Sequence, residues 1–300
     1  MTYRKIIDQF PGYTIYQGES PGQVYHCFSD TYCCSTTGTS TEIHGKGALS
    51  HRVSAFLFSK LAQLSIPNHF LGTRNMRESL LQATNPLPFS LRIHNRASLA
   101  LSNAFYVPED TVFDPPLIEY ITPSTQYHAN DDFLMAMGWV DQDEIDELQA
   151  LALRTTHCLQ GIFVAFDLSL IEVQLNLARS FEETFLVAGP LSPEQFLLRD
   201  LRTGAIWSIE PTEDAAGCPL TPYLLLAQRL GLYPDSQEIP TESEAPCDQA
   251  GPDNANQPGI SEKTRPEEAT NNKTKSELGK AHWPKNVVPF PKIILNPLAN

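Results

Sequence analysis

Three polar residues at alternate positions of one predicted strand are the best candidates for chemistry. The segment Leu168–Leu177 reads LSLIEVQLNL and places Glu172, Gln174 and Asn176 on one side, because successive strand side chains alternate in direction. Polar groups packed against core without partners would cost roughly 1–3 kcal/mol each. The pattern therefore favours a polar pocket along this face. The alternative interpretation is a strand face exposed to solvent.

A second candidate strand, Pro88–Ala97, carries His94 and Asn95. Histidine titrates near neutral pH, so His94 could act with Glu172 as an acid–base pair if the two lie within hydrogen-bond reach. We therefore predict Glu172 and His94 as catalytic residues. Asn95 joins the predicted substrate contacts, in a cleft between the two strands. A histidine buried for packing is the alternative for His94.

Composition excludes several classes of partner. The 300-residue chain is 41% hydrophobic, enough for one large domain or two small ones, and carries a net charge of −14 with a pI near 4.9. Such a charge disfavours nucleic acid and anionic membranes as partners. Met1–Phe10 lacks the apolar core of a signal peptide, and no apolar run approaches the length of a membrane span. We expect a cytoplasmic protein that binds a small molecule, with a homo-oligomer as one option for its assembly.

The cysteines do not indicate a metal site. Cys27, Cys33 and Cys34 lie near His26 and His44 in sequence, but the segment has no C-x-x-C spacing. The six cysteines of the chain have no disulfide framework spacing either, so free thiols are expected in a reducing compartment. We predict neither a metal nor a cofactor.

Hydrophobic periodicity predicts an α+β chain. A hairpin is expected at Tyr13–Asp30, around the turn Gly-Glu-Ser-Pro-Gly, and a loop at Ser35–Gly47. The other predicted strands are Ile66–Thr73, Pro88–His94, Pro115–Ile121, Leu168–Leu177 and Glu183–Ala188. The predicted helices are Leu49–Leu64, Asp141–Ile162 and Tyr223–Leu232. Asp141 and Glu144 have the spacing of a capping box.

The segment 45–70, GKGALSHRVSAFLFSKLAQLSIPNHF, resembles the SAICAR synthetase pattern KG-x-x-N-N-K-x-S-x-F-x-x-x-K-L-x-x-x-G-I-P-T-H-F. The residues in register are Lys46–Gly47, Ser54, Phe56, Ser59–Lys60–Leu61, Ile66–Pro67 and His69–Phe70. The similarity extends over about residues 13–234. It implies antiparallel sheets and helices around a central cleft, and a ligase that uses ATP and magnesium to phosphorylate a carboxylate and couple it to aspartate.

Several charged positions of that family differ in this chain. The lysine-bearing turn of the family becomes Gly18–Gly22 with Glu19 in it, and two further lysines become Gln82 and Ala83. The arginine expected to hold a substrate phosphate becomes His94, and the family's D-E pair becomes Gly189–Pro190. The remaining changes are Leu99–Ala100 for a Gly-Ser anion cradle, Pro123 for the lysine after Glu119, and Glu172, Gln174 and Asn176 for Asp, Lys and Glu.

These differences predict that ATP- and magnesium-dependent ligase chemistry has been lost. We expect a repurposed ATP-independent enzyme of the cyclase, isomerase or lyase kind, or a silent binding protein, acting on a less anionic molecule. Lys46, Glu119, Gln174 and Asn176 join Asn95 as predicted substrate-binding residues, although Lys46 could equally be an exposed loop lysine. An active ATP-dependent amide ligase is the alternative.

The predicted organisation is one SAICAR synthetase-like domain at 1–234, with lobes at about 1–87 and 88–234, followed by a tail at 235–300. The tail is rich in Pro, Glu, Asn, Thr and Lys, so it buries too little apolar surface to order itself. The exception to this expectation is the last stretch, Trp283–Asn300, which is apolar again and could dock on the domain. Proton–nitrogen spectra should show narrow amide dispersion from about residue 236. Dispersed, protected amides throughout Ser236–Lys280 would contradict this prediction.

Overall fold

Antiparallel sheets and helices build the part of the chain that the computed structural model describes, residues 4–33, 39–122, 129–208 and 220–233. The strands are β1 Ile6–Phe10, β2 Tyr13–Gln17, β3 Gln23–Phe28, β4 Thr31–Cys33, β5 Ser40–Glu42, β6 Phe70–Thr73, β7 Glu78–Gln82, β8 Asn85–Arg96, β9 Val112–Ile121, β10 Leu168–Arg179, β11 Phe185–Ala188, β12 Phe196–Asp200 and β13 Ile206–Trp207. The helices are α1 Lys46–Gln63, α2 Leu99–Phe105, α3 Asp131–Ala136, α4 Gln142–Val164 and α5 Thr221–Arg229. The α+β prediction is confirmed.

The first sheet has the strand order β1-β2-β3-β7-β6. The predicted hairpin is present as β2 and β3, which pair antiparallel with Tyr16 opposite Tyr25. Strands β1 and β7 were not predicted, because each is only five residues long, contains one charged residue and shows little apolar alternation. The segment expected to be a loop at Ser35–Gly47 contains β5, which pairs with β4, and the start of α1.

The second sheet has the order β13-β12-β10-β8-β9, and β11 pairs with one end of β10. Strands β8 and β10 are its long central members, of 12 residues each. They pair directly, with Glu172 opposite His94 and Gln174 opposite Arg92. The predicted cleft between these two strands is therefore wrong: direct neighbours in a sheet leave no space between them, and a ligand can only lie over one face.

The apolar face of the second sheet packs against helices. Helix α4 lies on β8 and β10, while α1 packs against α4 and α5. Helix α4 begins with the predicted capping box, in which Asp141 accepts from the Glu144 amide and Glu144 accepts from the Asp141 amide. The fully buried core residues of these elements include Val53, Leu57, Phe58, Leu61, Leu91, Ile93, Leu148, Leu159, Phe163, Val173 and Leu175.

Two of the remaining expectations concern the thiols and the tail. Cys27, Cys33 and Cys158 form no disulfide within the described ranges. The predicted tail at 235–300 lies outside the described residues. No helix in the described ranges is long and apolar enough to cross a lipid bilayer.

Gly47, in the first turn of α1, lies against the end of β3 so closely that no side chain fits. A Cβ atom there would be 2.6 Å from Arg77 Nη1 and 2.8 Å and 2.9 Å from the carbonyl oxygens of Ser29 and Phe28. Two of these three atoms belong to the backbone, so they cannot move aside easily. Gly161, inside α4, has no heavy atom within 4 Å of the same position.

Substituting these two glycines should change stability in opposite directions. Gly47→Ala should lower the free energy of unfolding by about 1–3 kcal/mol through the clash with backbone oxygens. Gly161→Ala should raise it by roughly 0.5–1 kcal/mol, because alanine loses less conformational entropy in a helix. Urea titrations of both variants test the pair, and a Gly47→Ala variant as stable as the wild type would contradict the packing described.

Three histidines are buried between β3, α1 and the start of β6. Burial, with smaller effects from the charges of His69 and His51, lowers the pKa of His26 well below its ordinary value. Burial also lowers the pKa of His69 to about 4 and lowers the pKa of His51 from its ordinary value. Their rings contact other aromatic rings, such as Phe28, which stacks on His26 at 4.5 Å. These imidazoles are therefore neutral in the folded protein at neutral pH.

Stability should fall as the pH drops from about 6.5 towards 4. In this window the unfolded chain binds protons at these histidines and the folded chain does not, so protonation favours unfolding; above pH 6.5 both states are neutral. A shift from 6.5 to about 4 corresponds to roughly 3 kcal/mol for His69 once the pH has passed both values. Denaturant titrations at several pH values give the free energy of unfolding at each pH. Plotted against pH between 4 and 6.5, this free energy should change less steeply for His69→Gln than for the wild type. The exposed His44→Gln is the control, and equal slopes for all three proteins would contradict the prediction.

Candidate functional site

A cleft of about 650 Å3 lies over the polar face of the second sheet and reaches the first sheet. Its charged lining residues are Lys46, Arg92, Glu109, Glu172 and Glu194. Among its apolar lining residues are Leu99, Ala100, Ile171, Phe196, Leu197 and Ile206. The described part of the cleft thus carries two cations and three carboxylates.

Lys46 is the buried cation of this cleft. It is the first residue of α1 and is only 4% exposed, so the interpretation as an exposed loop lysine is wrong. Its Nζ lies 2.7 Å from Glu194 Oε1, and the same carboxylate oxygen accepts a hydrogen bond of 2.9 Å from the Tyr223 hydroxyl. An ammonium has three N–H donors, so Lys46 can hold Glu194 and still donate to a bound anion.

Glu194 was not among the predicted site residues. Burial alone would raise its pKa, but the Lys46 ammonium and hydrogen bonds from Lys46 and Ser192 hold the pKa below its usual value. The carboxylate is therefore ionised at neutral pH. One signal could have found it: Ser192 and Pro193 match the S-P of the family's D-E-x-S-P-D-x-x-R pattern, so Glu194 stands at the position of a family carboxylate.

Glu172 and His94 lie opposite each other on β10 and β8. His94 Nδ1 lies 3.0 Å from Glu172 Oε2, and His94 Nε2 lies 3.4 Å from Glu119 Oε2. Arg92, on the same face of β8, places its Nε 3.2 Å from Glu172 Oε1 and its Nη1 3.7 Å from Glu119 Oε2. Glu172 and Arg92 line the cleft, whereas His94 lies behind them, nearly buried. Glu172 is therefore the member of the pair that a ligand can reach.

Gln174 extends this network along the sheet. Its side-chain oxygen accepts from Arg92 at 3.3 Å, and its nitrogen donates to Ser90 Oγ at 2.8 Å. Gln174 also lines the cleft. Asn176 is on the same face but packs beside Gly189, where a Cβ atom would lie 2.7 Å from Asn176 Nδ2. Asn176 is not among the residues that line the cleft.

Asn95 lies away from the cleft. It is 2% exposed, and its Nδ2 donates to the carbonyl oxygen of Leu170 at 3.1 Å. That carbonyl adjoins a β-bulge: Leu170 and Glu172 face consecutive residues of β12, so Ile171 is an extra residue in β10. Asn95 thus holds the bulged strand. No pattern in the sequence announces a bulge, so this role could not be predicted.

The bulge also changes which face Ile171 occupies. Strict alternation placed Ile171 with the apolar core, together with Val173 and Leu175. In the structure Ile171 lines the cleft beside Glu172, is 2% exposed and lies outside the hydrophobic core that contains Leu170 and Val173. The strand alternates as predicted from Glu172 onwards.

Two acidic stretches of the family pattern are replaced by residues without a carboxylate: the D-E pair by Gly189–Pro190, and the Glu of the second signature by Asn176. Asn176 and Gly189 lie against each other. Within residues 4–33, 39–122, 129–208 and 220–233, no three His, Cys, Asp or Glu side chains are placed to hold a metal ion. The described side chains therefore do not form a protein metal site by themselves.

Two arguments for the loss of anion binding are weaker in three dimensions than in sequence. Glu19 does not direct an unpaired negative charge at the cleft: its side chain is 75% exposed and pairs with Arg74 at 3.2 Å. The missing arginine at position 94 has a counterpart two residues earlier, because Arg92 projects from the same strand face into the cleft. The added negative charge of Glu19 is thus paired at the surface, and the cation missing at position 94 is supplied from position 92.

Solved structures of known proteins have this fold. The phosphoribosylaminoimidazole-succinocarboxamide synthase of Ehrlichia chaffeensis superposes with a TM-score of 0.71 at 22% identity, over 77% of this chain and 100% of that one. A SAICAR synthetase in complex with ADP superposes with a TM-score of 0.70 at 17% identity, over 77% of this chain and 100% of its own. The predicted SAICAR synthetase fold is confirmed.

Relatives by sequence bear the same name. The phosphoribosylaminoimidazole-succinocarboxamide synthase of Dinoroseobacter shibae is 28% identical over 246 residues, which cover 78% of this chain and 95% of the relative. These names contradict the expectation of a repurposed, ATP-independent cyclase, isomerase or lyase, or of a silent binding protein. They favour the alternative, an ATP-dependent ligase. The expectation was wrong because charges were compared one motif at a time. That comparison did not include the ion pair between Glu19 and Arg74, or the presence of Arg92 and Lys46 in the cleft.

The family itself is shown by a sequence model that spans most of the described chain. The model of SAICAR synthetase matches residues 13–203, which include all strands of both sheets except β1 and β13, helices α1 and α4, and nearly all residues of the cleft. This chain belongs to the SAICAR synthetase family.

Proposed function

We propose that this protein is an ATP-dependent ligase that joins a carboxylic acid to an amine, the reaction type that the name of its relatives indicates. The observation that carries the proposal is the buried Lys46, an ammonium kept in a cleft with a second cation, Arg92, and with Glu172. The ADP complex of a structurally similar SAICAR synthetase supports adenine nucleotide as the energy source.

In such a ligase the terminal phosphoryl group of ATP is transferred to the carboxylate, and ADP leaves. The amine then attacks the acyl carbon, phosphate is expelled, and the nitrogen loses a proton. Negative charge accumulates on the phosphoryl and acyl oxygens, so donors fixed before the reaction lower the barrier most. We take magnesium to arrive with ATP, and no step below requires a metal held by the protein.

Lys46 is proposed to donate to the phosphoryl or carboxylate oxygens. Its position is held by Glu194, whose carboxylate is in turn held by the Tyr223 hydroxyl. Burial and the nearby Glu194 charge raise the pKa of Tyr223, so its hydroxyl remains a donor at any physiological pH. Because these groups are already ordered, binding an anion there requires little rearrangement.

Glu172 is proposed to take the proton from the attacking amine. It faces the cleft, and His94 Nδ1 lies 3.0 Å from its Oε2, although the two atoms are not aligned for a hydrogen bond in this structure. Arg92 Nε lies 3.2 Å from the other Glu172 oxygen and places a positive charge beside the carboxylate. Glu119 contacts His94 from the opposite side, which supports an orienting role for it.

A cytoplasmic location and a small-molecule substrate in the cleft belong to this proposal. Both agree with the acidic composition and with the absence, in the described ranges, of a helix able to span a membrane. A homo-oligomer remains a proposal as well, which sedimentation would test.

The purified chain should release ADP and form the succinocarboxamide product when given ATP, magnesium, aspartate and the phosphoribosyl-aminoimidazole carboxylate. Mass spectrometry detects the product, and a coupled assay measures ADP. Glu172→Gln keeps the shape of the side chain but removes the proton acceptor, so kcat should fall by about 100-fold.

Lys46→Met removes the buried ammonium and should lower kcat. The control is Lys60→Met, which removes an exposed lysine from the same helix and should retain the wild-type kcat. Product formation by Glu172→Gln at the wild-type rate would remove Glu172 from the mechanism. A folded wild-type protein that neither releases ADP nor forms product would refute the proposed function.

A further inference from the structure

We propose that Asp30 and Arg77 are positioning residues for Lys46, and that they clamp the backbone on both sides of it. The inference rests on the proposed function of Lys46 as the anion-binding cation of the cleft. Neither residue lines the cleft, and neither is among the residues that sequence patterns singled out. Both lie in the first sheet's connections, Asp30 just after β3 and Arg77 in the turn between β6 and β7.

The clamp consists of short hydrogen bonds. Asp30 Oδ1 accepts from the Gly47 amide at 2.9 Å and from Arg77 Nη1 at 2.6 Å, and Oδ2 accepts from Arg77 Nη2 at 3.0 Å. The backbone carbonyl of Asp30 accepts from the Ile43 amide at 2.8 Å. Asp30 therefore holds the chain on both sides of Lys46, at Ile43 through its backbone and at Gly47 through its carboxylate, whose two oxygens are fixed by a bidentate guanidinium.

Helix α1 has no cap of its own at this end. Its N-cap residue is Gly45, with φ 90° and no side chain to accept from the free amides, and its first turn contains no acidic residue. Lys46 at the first helical position is disfavoured by the positive end of the helix dipole. Asp30 supplies both the missing acceptor and a compensating negative charge. A lysine retained at such a position indicates a role in the cleft rather than in the helix.

Arg77 is itself rigidly placed. Its amide donates to Asn75 Oδ1 at 2.8 Å, and its carbonyl oxygen accepts from the Phe28 amide at 2.9 Å. The guanidinium lies directly over Gly47, where the absence of a Cβ atom allows the approach. The hydrogen bond from Arg77 outweighs partial burial, which would raise the pKa, and lowers the pKa of Asp30 to about 2, so the carboxylate stays ionised at neutral pH. The backbone from which the Lys46 side chain projects is thus held in place.

The experiment follows the acylation of individual lysines in the full-length protein by an amine-reactive reagent, read by mass spectrometry across pH 6–10. In the wild type, Lys46 should react slowly because it is buried and paired with Glu194. In Asp30→Ala and Arg77→Ala, Lys46 should react at least ten-fold faster, while the exposed Lys60 on the same helix keeps its rate. Ligase kcat/KM in the same variants should fall about ten-fold, since small misplacements of a catalytic group are costly.

Two further variants separate positioning from general destabilisation. Asp30→Asn retains an oxygen that can accept from Gly47, so it should restore part of the slow Lys46 labelling that Asp30→Ala loses. Arg74→Ala removes another arginine from the same turn, one paired with Glu19 and Glu78, and should leave the Lys46 profile unchanged. Thermal melting confirms that each variant is folded at the labelling temperature.

The two proposals fail in different ways. The clamp is overturned if Lys46 is acylated at the wild-type rate in every folded Asp30 and Arg77 variant. It is also overturned if Arg74→Ala speeds the acylation of Lys46 as much as these variants do. A wild-type protein without ligase activity overturns the proposed function, and the labelling experiment still decides the clamp, because it does not depend on turnover.

Discussion

The direct pairing of β8 and β10 is the constraint on which both the core and the site depend. One register sets Glu172 opposite His94 and Gln174 opposite Arg92 over the cleft, while Leu91 and Leu175 face the helices on the other side. A slip of one residue would exchange the two faces and place the charged side chains in the core. The same set of hydrogen bonds therefore stabilises the protein and places Glu172 next to His94.

Local patterns predicted the elements that alternate or repeat strongly. Helices α1 and α4, the β2–β3 hairpin and strands β8 and β10 follow from hydrophobic periodicity and capping residues. Periodicity also gives the face that Glu172 occupies, but its proximity to His94 requires that β8 and β10 pair. The order of strands in the sheets does not, because it depends on contacts distant in sequence. For the same reason the burial of Lys46 could not be predicted, since Glu194 and Tyr223 come from segments about 150 residues or more away along the chain.

Charge acts through space, and this explains why motif comparison misjudged the function. The sequence analysis recorded Glu19 as a repulsive charge and His94 as a lost cation, position by position. In the folded chain Arg74 neutralises Glu19 at the surface, and Arg92 provides a cation to the same cleft as His94's neighbour on the strand face. The electrostatic potential felt by a ligand is the sum over such groups, and it falls steeply with distance and exposure. A cation that is missing at one position of a motif can thus be supplied from a neighbouring position.

The β-bulge in β10 has a consequence for how this cleft can vary. Ile171 touches the ligand space but belongs to no core cluster, whereas its neighbours Leu170 and Val173 are fully committed to packing. Mutation at most positions of a central strand is constrained twice, by the core and by the site. Ile171 is free of the constraint from core packing. Natural or engineered substitutions at position 171 could therefore change the shape of the cleft wall while the fold remains intact.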